Sequence, residues 1–164
     1  MPQPSGGWAD DQACGTTVLS SDGKQIGPQA DSSWLFVVPW GFRPLVNWIS
    51  ARYGRPPIIV TENGVDVPGE NAMPLAQALN DTFRVNFYSA YLDGLANAIA
   101  IDGADVRGYF AWSLLDNFEW ADGYSKRFGM HYVQYDKNLT RLPKASALWY
   151  KQLIAGHQSA TERR

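Results

Sequence analysis

The apolar residues of this chain recur in three segments with the spacing of a helix face. In the first predicted helix, which Gly54 ends, these residues are Leu45, Trp48, Ile49 and Tyr53. In the second, which Asn80 or Asp81 caps, they are Phe83, Phe87, Tyr91 and Leu95. The third opens at Pro143 and carries Leu148, Trp149 and Leu153. The sequence therefore predicts three amphipathic helices.

Two continuous apolar runs lie between these helices and predict strands. Residues 58–61 follow two prolines, and residues 106–112 form the second run. Apolar strands without alternation are typical of a parallel sheet buried on both faces. Because strands alternate with helices, we expect an α/β fold with right-handed crossovers. Residues 1–31 and 65–79 are predicted as loops, and residues 128–135 as a hairpin-like extension.

Length and composition indicate a folded chain that is only part of a larger domain. The 164 residues are 45% apolar and 18% charged, which excludes a disordered protein. Two parallel strands alone rarely form a stable sheet, because both of their faces and edges need cover. We therefore expect further strands or other elements to complete the sheet.

Charge and cysteine content exclude several kinds of function. The net charge is −2 and no basic stripe occurs, which argues against a surface for nucleic acid or anionic membranes. No run approaches the ~18 apolar residues of a membrane span. The first seven residues lack the apolar core of a signal peptide. Cys14 is the single cysteine, so neither an internal disulfide nor a cysteine-rich zinc site is expected.

The aromatic content is high for a chain of this length. Seven tryptophans, eight tyrosines and seven phenylalanines make up 13% of the residues. One interpretation is a core rich in tryptophan. The other is a sugar-binding cleft, in which indoles stack on pyranose rings while carboxylates bind the hydroxyl groups.

Two carboxylates and two tryptophans follow the ends of the predicted strands. Glu62 ends the first strand and Trp112 the second, and Glu119 and Trp120 lie further along the segment after Trp112. The carboxyl ends of parallel strands open on one edge of the sheet, where reactive groups collect. These side chains therefore suit a site for one hexose ring. The alternatives are a polar turn at Glu62 and core tryptophans beside solvated acids.

The pattern around these residues resembles the carboxyl-terminal part of the family-1 glycoside hydrolases, the β-glucosidase family. The resemblance covers about residues 22–155. The matching strings are Ile26-Gly27-Pro28, Trp34-Leu35, Pro39-Trp40-Gly41, Ile59-Val60-Thr61-Glu62-Asn63-Gly64, Gly108 through Trp120, Gly123-Tyr124, Arg127-Phe128-Gly129, Pro143-Lys144 and Ser146. Ser33 stands where many members have Asp, a change outside the site.

The resemblance implies an incomplete (β/α)8 TIM barrel. The chain would supply roughly its last quarter to third, namely helix 6, strand 7, helix 7, strand 8 and helix 8. Residues 1–155 are expected to form this part of the barrel, and residues 156–164 a flexible tail. A complete barrel takes roughly 250 residues, well beyond this chain.

The resemblance also implies a role for each site residue. Glu62 matches the catalytic nucleophile, and Trp112 matches the indole that stacks under the reacting sugar. Glu119 and Trp120 match the residues that hold the sugar's 3-, 4- and 6-hydroxyls. Phe128 matches an aromatic residue near the 6-hydroxyl. The peptide bond after Trp112 is implied to be cis, and neither a metal nor an organic cofactor is implied.

One departure from the family pattern concerns activity. A retaining glycosidase needs two carboxylates about 5–5.5 Å apart, one as nucleophile and one as acid/base. The family carries the acid/base in an Asn-Glu-Pro string, which is absent here. We expect part of a β-glucosidase that is inactive alone. The alternatives are a non-catalytic carbohydrate-binding remnant and a structural half that complements a separate amino-terminal half.

The expected partners follow from these alternatives. They are a β-glycoside or monosaccharide, and either the missing amino-terminal part of the barrel or a second copy of the chain. Two triplets, Asn80-Asp81-Thr82 and Asn138-Leu139-Thr140, also fit the N-glycosylation pattern. Such triplets often arise by chance and matter only in a secreted protein. The sequence does not specify a compartment.

Overall fold

A computed structural model of the chain describes residues 17–161, with side chains up to His157. Within this part, the helices are α1 (Phe42–Arg52), α2 (Leu75–Leu79), α3 (Thr82–Ala100) and α4 (Ala145–Thr161). The strands are β1 (Ile58–Gly64), β2 (Val106–Trp112), β3 (His131–Gln134) and β4 (Thr140–Pro143). Single 3-10 turns occur at Pro39–Gly41, Glu70–Ala72 and Trp120–Asp122. Cys14 lies outside the described residues.

Strands β1 and β2 pair in parallel, as the alternating order of elements predicts. Ile58 lies opposite Val106 at one end of the pair, and Gly64 lies opposite Trp112 at the other. Strands β3 and β4 form an antiparallel hairpin, of which β3 lies within the extension predicted at residues 128–135 and β4 lies beyond it. The two carboxyl ends of the parallel strands therefore lie side by side.

Helices α1 and α3 cover one face of the β1–β2 sheet. Apolar side chains of the two helices and of the connection from α3 to β2 form a buried cluster against this face: Val46, Leu95, Ala98 and Ala104. A second cluster lies towards the carboxyl ends of the strands and contains Ala30, Val65, Phe87, Tyr88, Tyr91 and Met130. The apolar spacing predicted for the second helix thus corresponds to the buried face of α3.

The other face of the sheet is bare among the described residues, although apolar runs like those of β1 and β2 are typical of strands buried on both faces. Ile59 of β1 is 55% exposed and Phe110 of β2 is 61% exposed. Both side chains lie beside Gly108 on this face. Nothing among the described residues packs on this side, as expected for two strands that need further elements to complete their sheet.

The apolar face predicted for the first helix also points outward. Leu45, Trp48 and Tyr53 are all more than half exposed, whereas Val46 and Ser50 are buried. The spacing identified the helix, but Val46 rather than the tryptophan packs against α3. The predicted face needs a neighbour that the described residues do not supply.

Three further boundaries differ from the prediction. Residues 65–79, predicted as a loop, contain the short helix α2 and a 3-10 turn. Pro143 ends β4, so α4 begins at Ala145 instead. Helix α4 continues to Thr161, past residue 156, where the sequence predicts the start of a flexible tail. The ends of helices and strands are hard to predict from local sequence propensity, because packing against neighbouring elements helps to decide where each one ends.

Gly64 is required where β1 reaches the end of β2. A Cβ atom at this position would lie 1.7 Å from the carbonyl oxygen of Trp112. We expect Gly64→Ala to lower the free energy of unfolding by at least about 3 kcal/mol, because backbone atoms must move. Gly156→Ala is the control, since a Cβ there meets nothing within 4 Å and favours the helix. Equal urea midpoints for the two variants would contradict this account.

Asp102, in the turn after α3, ties that turn to α1. Arg43 Nε donates to one carboxylate oxygen at 2.6 Å and Nη2 to the other at 2.8 Å. Asn47 adds a third hydrogen bond at 2.5 Å. The Arg43 hydrogen bond, supported by Asn47, lowers the pKa of Asp102 from 3.8 to about 2.

This pKa shift makes stability depend on pH in a defined window. Because the folded-state pKa is the lower one, the stabilisation is present above about pH 4 and is lost as the pH falls towards 2. We expect Asp102→Asn to unfold more easily than the unsubstituted chain at pH 5, with the difference shrinking by pH 2. Asp93→Asn, at an exposed α3 position without an ion pair among the described residues, is the control. A pH-independent difference in urea midpoint would exclude the Asp102 mechanism.

Candidate active site

The predicted site residues Glu62 and Trp112 lie at the same edge of the parallel sheet. Glu62 lies two residues before Gly64, which is opposite Trp112 in the register of the two strands. The Glu62 side chain is exposed at this edge. The next residue, Asn63, accepts a hydrogen bond from the Tyr109 hydroxyl at 2.8 Å, which fixes β1 against β2 beside Glu62. Burial raises the pKa of Tyr109, so the phenol keeps its proton.

Glu119 lies within electrostatic range of Glu62, on the segment that follows β2. Burial raises the pKa of Glu119, a hydrogen bond from the Trp112 side chain opposes this, and the charges of Asp66, Asp122 and Glu62 add to the rise. The Oε2 atom of Glu119 is buried and has no hydrogen-bond partner among the described residues. A buried carboxylate oxygen of this kind can accept a hydrogen bond from a ligand hydroxyl.

The two tryptophans differ in their surroundings. Trp112 is half-buried, and its carbonyl oxygen accepts a hydrogen bond from the Tyr88 hydroxyl at 2.9 Å. The peptide bond between Trp112 and Ser113 is cis, which confirms the expectation from the family resemblance. Trp120 is 83% exposed and adopts a left-handed backbone conformation, with φ of 45°. Its indole ring is therefore available for stacking.

Phe128 differs from the other four predicted site residues because its side chain is buried. Only 4% of Phe128 is exposed. Its carbonyl oxygen accepts a hydrogen bond from the Ser113 backbone N–H at 3.1 Å, next to the cis bond. The fold thus joins Phe128 to the backbone of the site, and its predicted contact with a sugar stays a prediction.

A buried ionic network lies behind this edge of the sheet, and the sequence analysis missed it. Three cations and three carboxylates form it: Arg84, Arg127, Lys144, Glu70, Asp81 and Asp116. It connects loop one (residues 65–74, after β1), loop two (residues 113–130, after β2) and the starts of α3 and α4. The spacing of Asp81 and Arg84, three residues apart at a helix start, was its one local signal.

Arg84 is the centre of the network and is fully buried. Its guanidinium donates to the Val65 carbonyl at 3.0 Å, to Glu70 at 2.8 Å and to the Arg127 carbonyl at 2.7 Å. It also pairs with Asp81. Burial alone would lower the pKa of Arg84, but the Glu70 and Asp81 carboxylates outweigh it and raise the pKa. One side chain therefore holds the backbone of loop one and of loop two.

Asp116 uses both of its oxygens inside the protein. One accepts hydrogen bonds from the Gly129 N–H at 3.0 Å and from Lys144 at 3.1 Å. The other accepts from Arg127 at 2.6 Å and from the Val133 N–H at 3.1 Å. Although Asp116 lies in the same acidic segment as Glu119, it is a structural residue of loop two.

Neither a metal site nor a membrane span occurs among the described residues. Between residues 17 and 161, no three His, Cys, Asp or Glu side chains are grouped as metal ligands would be. No helix in that range is long and apolar enough to cross a bilayer. The side chains that the sequence analysis singled out at this edge of the sheet are carboxylates and aromatic rings.

Comparison with known families identifies the chain. A family model described as glycosyl hydrolase family 1 matches residues 8–159. The chain belongs to this family. The match extends beyond the predicted limits of about 22 and 155 at both ends. The family-specific strings around Glu62 and Trp112 lie at the edge of the sheet just described.

Relatives in the family are β-glucosidases that are much longer than this chain. "Beta-glucosidase 4" of Oryza sativa subsp. japonica is 57% identical over 134 residues, which are 82% of this chain and 28% of that protein. The chain thus spans less than a third of the length of this relative.

Solved structures of family members have the same fold over this part. A β-glucosidase from Humicola insolens in complex with glucose is 52% identical, with a TM-score of 0.82 over 85% of this chain and 29% of that chain. A rice β-glucosidase mutant in a covalent complex with Glc is 51% identical, with a TM-score of 0.76 over 79% and 27%. These neighbours are TIM barrels, so the chain forms part of such a barrel.

The network can be tested by removing its central cation. We expect Arg84→Met to lower the free energy of unfolding by about 3–5 kcal/mol, because Glu70 and Asp81 stay buried without their partner. Arg107→Met is the control, since the Arg107 pair with Asp105 is exposed and screened by solvent. The measurement is urea unfolding of both variants at pH 7. Similar losses of unfolding free energy in the two variants would show that the buried network stabilises the fold no more than an exposed ion pair does.

Proposed function

We propose that the chain carries the nucleophile and the sugar-binding side of a retaining β-glycosidase site of the β-glucosidase type. The observation that carries this proposal is the meeting of Glu62, Trp112 and Glu119 at one edge of a parallel sheet. Family membership supports it, since the similar proteins are β-glucosidases. In barrel terms, α1, β1, α3, β2 and α4 would be helix 6, strand 7, helix 7, strand 8 and helix 8.

In this proposal, Glu62 attacks the anomeric carbon of a terminal β-linked sugar. The glycosidic bond breaks, a covalent glycosyl ester forms on Glu62, and water then hydrolyses the ester. The exposed position of Glu62 at the strand end supports the role of attacking group. The covalent complex of a rice relative with Glc is in keeping with such an intermediate.

The sugar itself would be held by the side chains after β2. The Trp112 indole stacks on the apolar face of the ring, and the unpartnered Oε2 of Glu119 accepts one of its hydroxyls. Trp120 offers an exposed indole with an N–H donor. Phe128 would close the region near the 6-hydroxyl from behind. The glucose complex of the Humicola insolens relative supports a sugar as the ligand.

The acid/base group has to come from another part of the barrel. Protonation of the leaving group needs a second carboxylate about 5–5.5 Å from the first. No Asn-Glu-Pro string occurs in the 164 residues. Glu119 does not replace it, because Glu119 is committed to the sugar hydroxyls in this proposal. The chain alone would therefore bind sugar and hydrolyse glycosides poorly or not at all.

The bare face of the β1–β2 sheet supports a partner that completes the barrel. Ile59 and Phe110 expose apolar surface there, and Leu45 and Trp48 expose more on the outside of α1. Burial of apolar surface stabilises by about 25 cal/mol per Å², so these faces favour association. We propose the amino-terminal part of a family-1 barrel as that partner, with self-association of the chain in its absence.

Reconstitution tests the proposal directly. The chain is mixed with the amino-terminal portion of the relative Beta-glucosidase 4 of Oryza sativa subsp. japonica, the part of that protein that the chain does not match. We expect β-glucoside hydrolysis in the mixture only, and a 2-fluoroglucoside that traps the covalent intermediate should label Glu62. Glu62→Gln should abolish labelling and lower the rate by orders of magnitude. Sedimentation should show that self-associated chain is replaced by a one-to-one complex.

The alternatives give different results in the same experiment. Sugar binding by the chain alone, read from tryptophan fluorescence, with no activity in any mixture would favour a non-catalytic carbohydrate-binding protein. Glu119→Gln should weaken that binding, whereas Glu62→Gln should preserve it. Activity in the mixture with a label on another carboxylate would refute the role of Glu62.

A further inference from the structure

The two Asn-x-Thr triplets of the chain lie in very different surroundings. N-glycosylation joins Asn Nδ2 to C1 of an oligosaccharide that a lipid diphosphate carries. The bond from C1 to the diphosphate breaks, the lipid diphosphate leaves, and the amide gives up one proton. The transferase recognises the asparagine and the hydroxyl two residues later, which requires a surface segment. A triplet that cannot leave the folded protein is therefore a poor acceptor.

The triplet at residues 138–140 lies at the tip of the β3–β4 hairpin. Gln134 and Thr140 form the last pair of the ladder, and the turn between them is exposed. Asn138 and Leu139 have left-handed backbones, with φ of 51° and 54°. No hydrogen bond among the described residues involves the Asn138 carboxamide. Thr140 Oγ1 donates to the Lys137 carbonyl of the same turn, at 2.8 Å. Local unfolding of this triplet breaks hydrogen bonds within the turn and the last residue pair of the β3–β4 hairpin.

The triplet at residues 80–82 is tied into the interior, although Asn80 itself is exposed. Its middle residue, Asp81, is only 3% exposed. The Asp81 carboxylate accepts hydrogen bonds from the Ser146 N–H at 2.8 Å and the Ser146 hydroxyl at 2.6 Å, and it pairs with Arg84. Thr82 is the first residue of α3. Local unfolding of this triplet would break the Asp81 contacts of the ionic network and unwind the start of α3.

From this contrast we infer that Asn138 is an N-glycan acceptor in the folded chain and that Asn80 is not. The group transferred is an oligosaccharide from a lipid diphosphate donor. The difference rests on what must open locally, since a segment held by buried ion pairs opens far less often than an exposed turn. The inference concerns any compartment that supplies the transferase and its donor, and it does not depend on the proposed glycosidase function.

The test uses the purified full chain, a single-subunit oligosaccharyltransferase and a lipid diphosphate-linked oligosaccharide. Tryptic glycopeptides are quantified by mass spectrometry. Synthetic peptides spanning residues 76–86 and 134–144 give the intrinsic rate of each triplet without folding. After division by the peptide rates, we expect Asn138 to be modified at least about tenfold faster than Asn80. Asn138→Gln should remove the product, and Asn80→Gln should leave it unchanged.

Asp81→Asn supplies a matched variant, because it keeps an Asn-x-Thr triplet while removing the buried carboxylate. We expect modification at Asn80 to rise towards its peptide rate in this variant. Equal normalised rates at the two sites in the unsubstituted chain would overturn the inference. So would a chain that is modified at neither site while both peptides react.

Discussion

The buried guanidinium of Arg84 is the contact on which the arrangement of the candidate site depends. It holds loop one through Val65 and Glu70 and loop two through the Arg127 carbonyl. Burying a cation in the protein interior is costly unless its hydrogen bonds and countercharges are complete. The network meets this condition with three cations and three carboxylates, so the two loops share one charge-balanced support.

The same network also joins the helices. Asp81 directly precedes α3, and its carboxylate accepts hydrogen bonds from Ser146 in the first turn of α4. Lys144, just before α4, pairs with Glu70 of loop one and Asp116 of loop two. Burial lowers the pKa of Lys144, and the two carboxylates oppose that effect. The starts of both helices are therefore fixed by the two loops that follow β1 and β2, the strands that carry Glu62 and Trp112.

Patterns in the sequence were sufficient to predict the main helices and strands. They were also sufficient to predict that Glu62 and Trp112 lie at the same edge of the sheet. The runs at 58–61 and 106–112 predict β1 and β2, and parallel pairing brings Glu62 and Trp112 to one edge. The spacing at Phe87, Tyr91 and Leu95 predicts the buried face of α3. Such signals succeed because backbone periodicity and strand direction are local properties of the chain.

The buried charges could not be predicted in this way. Arg84 and Arg127 are 43 residues apart, and Asp81 and Ser146 are 65 apart. A charged residue normally indicates a solvated surface, and only its distant partners make burial possible. The outward face of α1 has a similar origin, since tertiary neighbours decide which side of a helix is covered. Pattern reasoning has no access to either kind of information.

The placement of the ionic network has a consequence for how such barrels evolve. Its six charged members all lie between Glu70 and Lys144, so the support of both loops is inherited within one stretch of sequence. A recombination breakpoint before α1 would transfer Glu62, Glu119 and their scaffold together. The new host barrel would then need to match the apolar sheet face and the outside of α1. Genetic exchange at that boundary can change one wall of the pocket without disturbing the other.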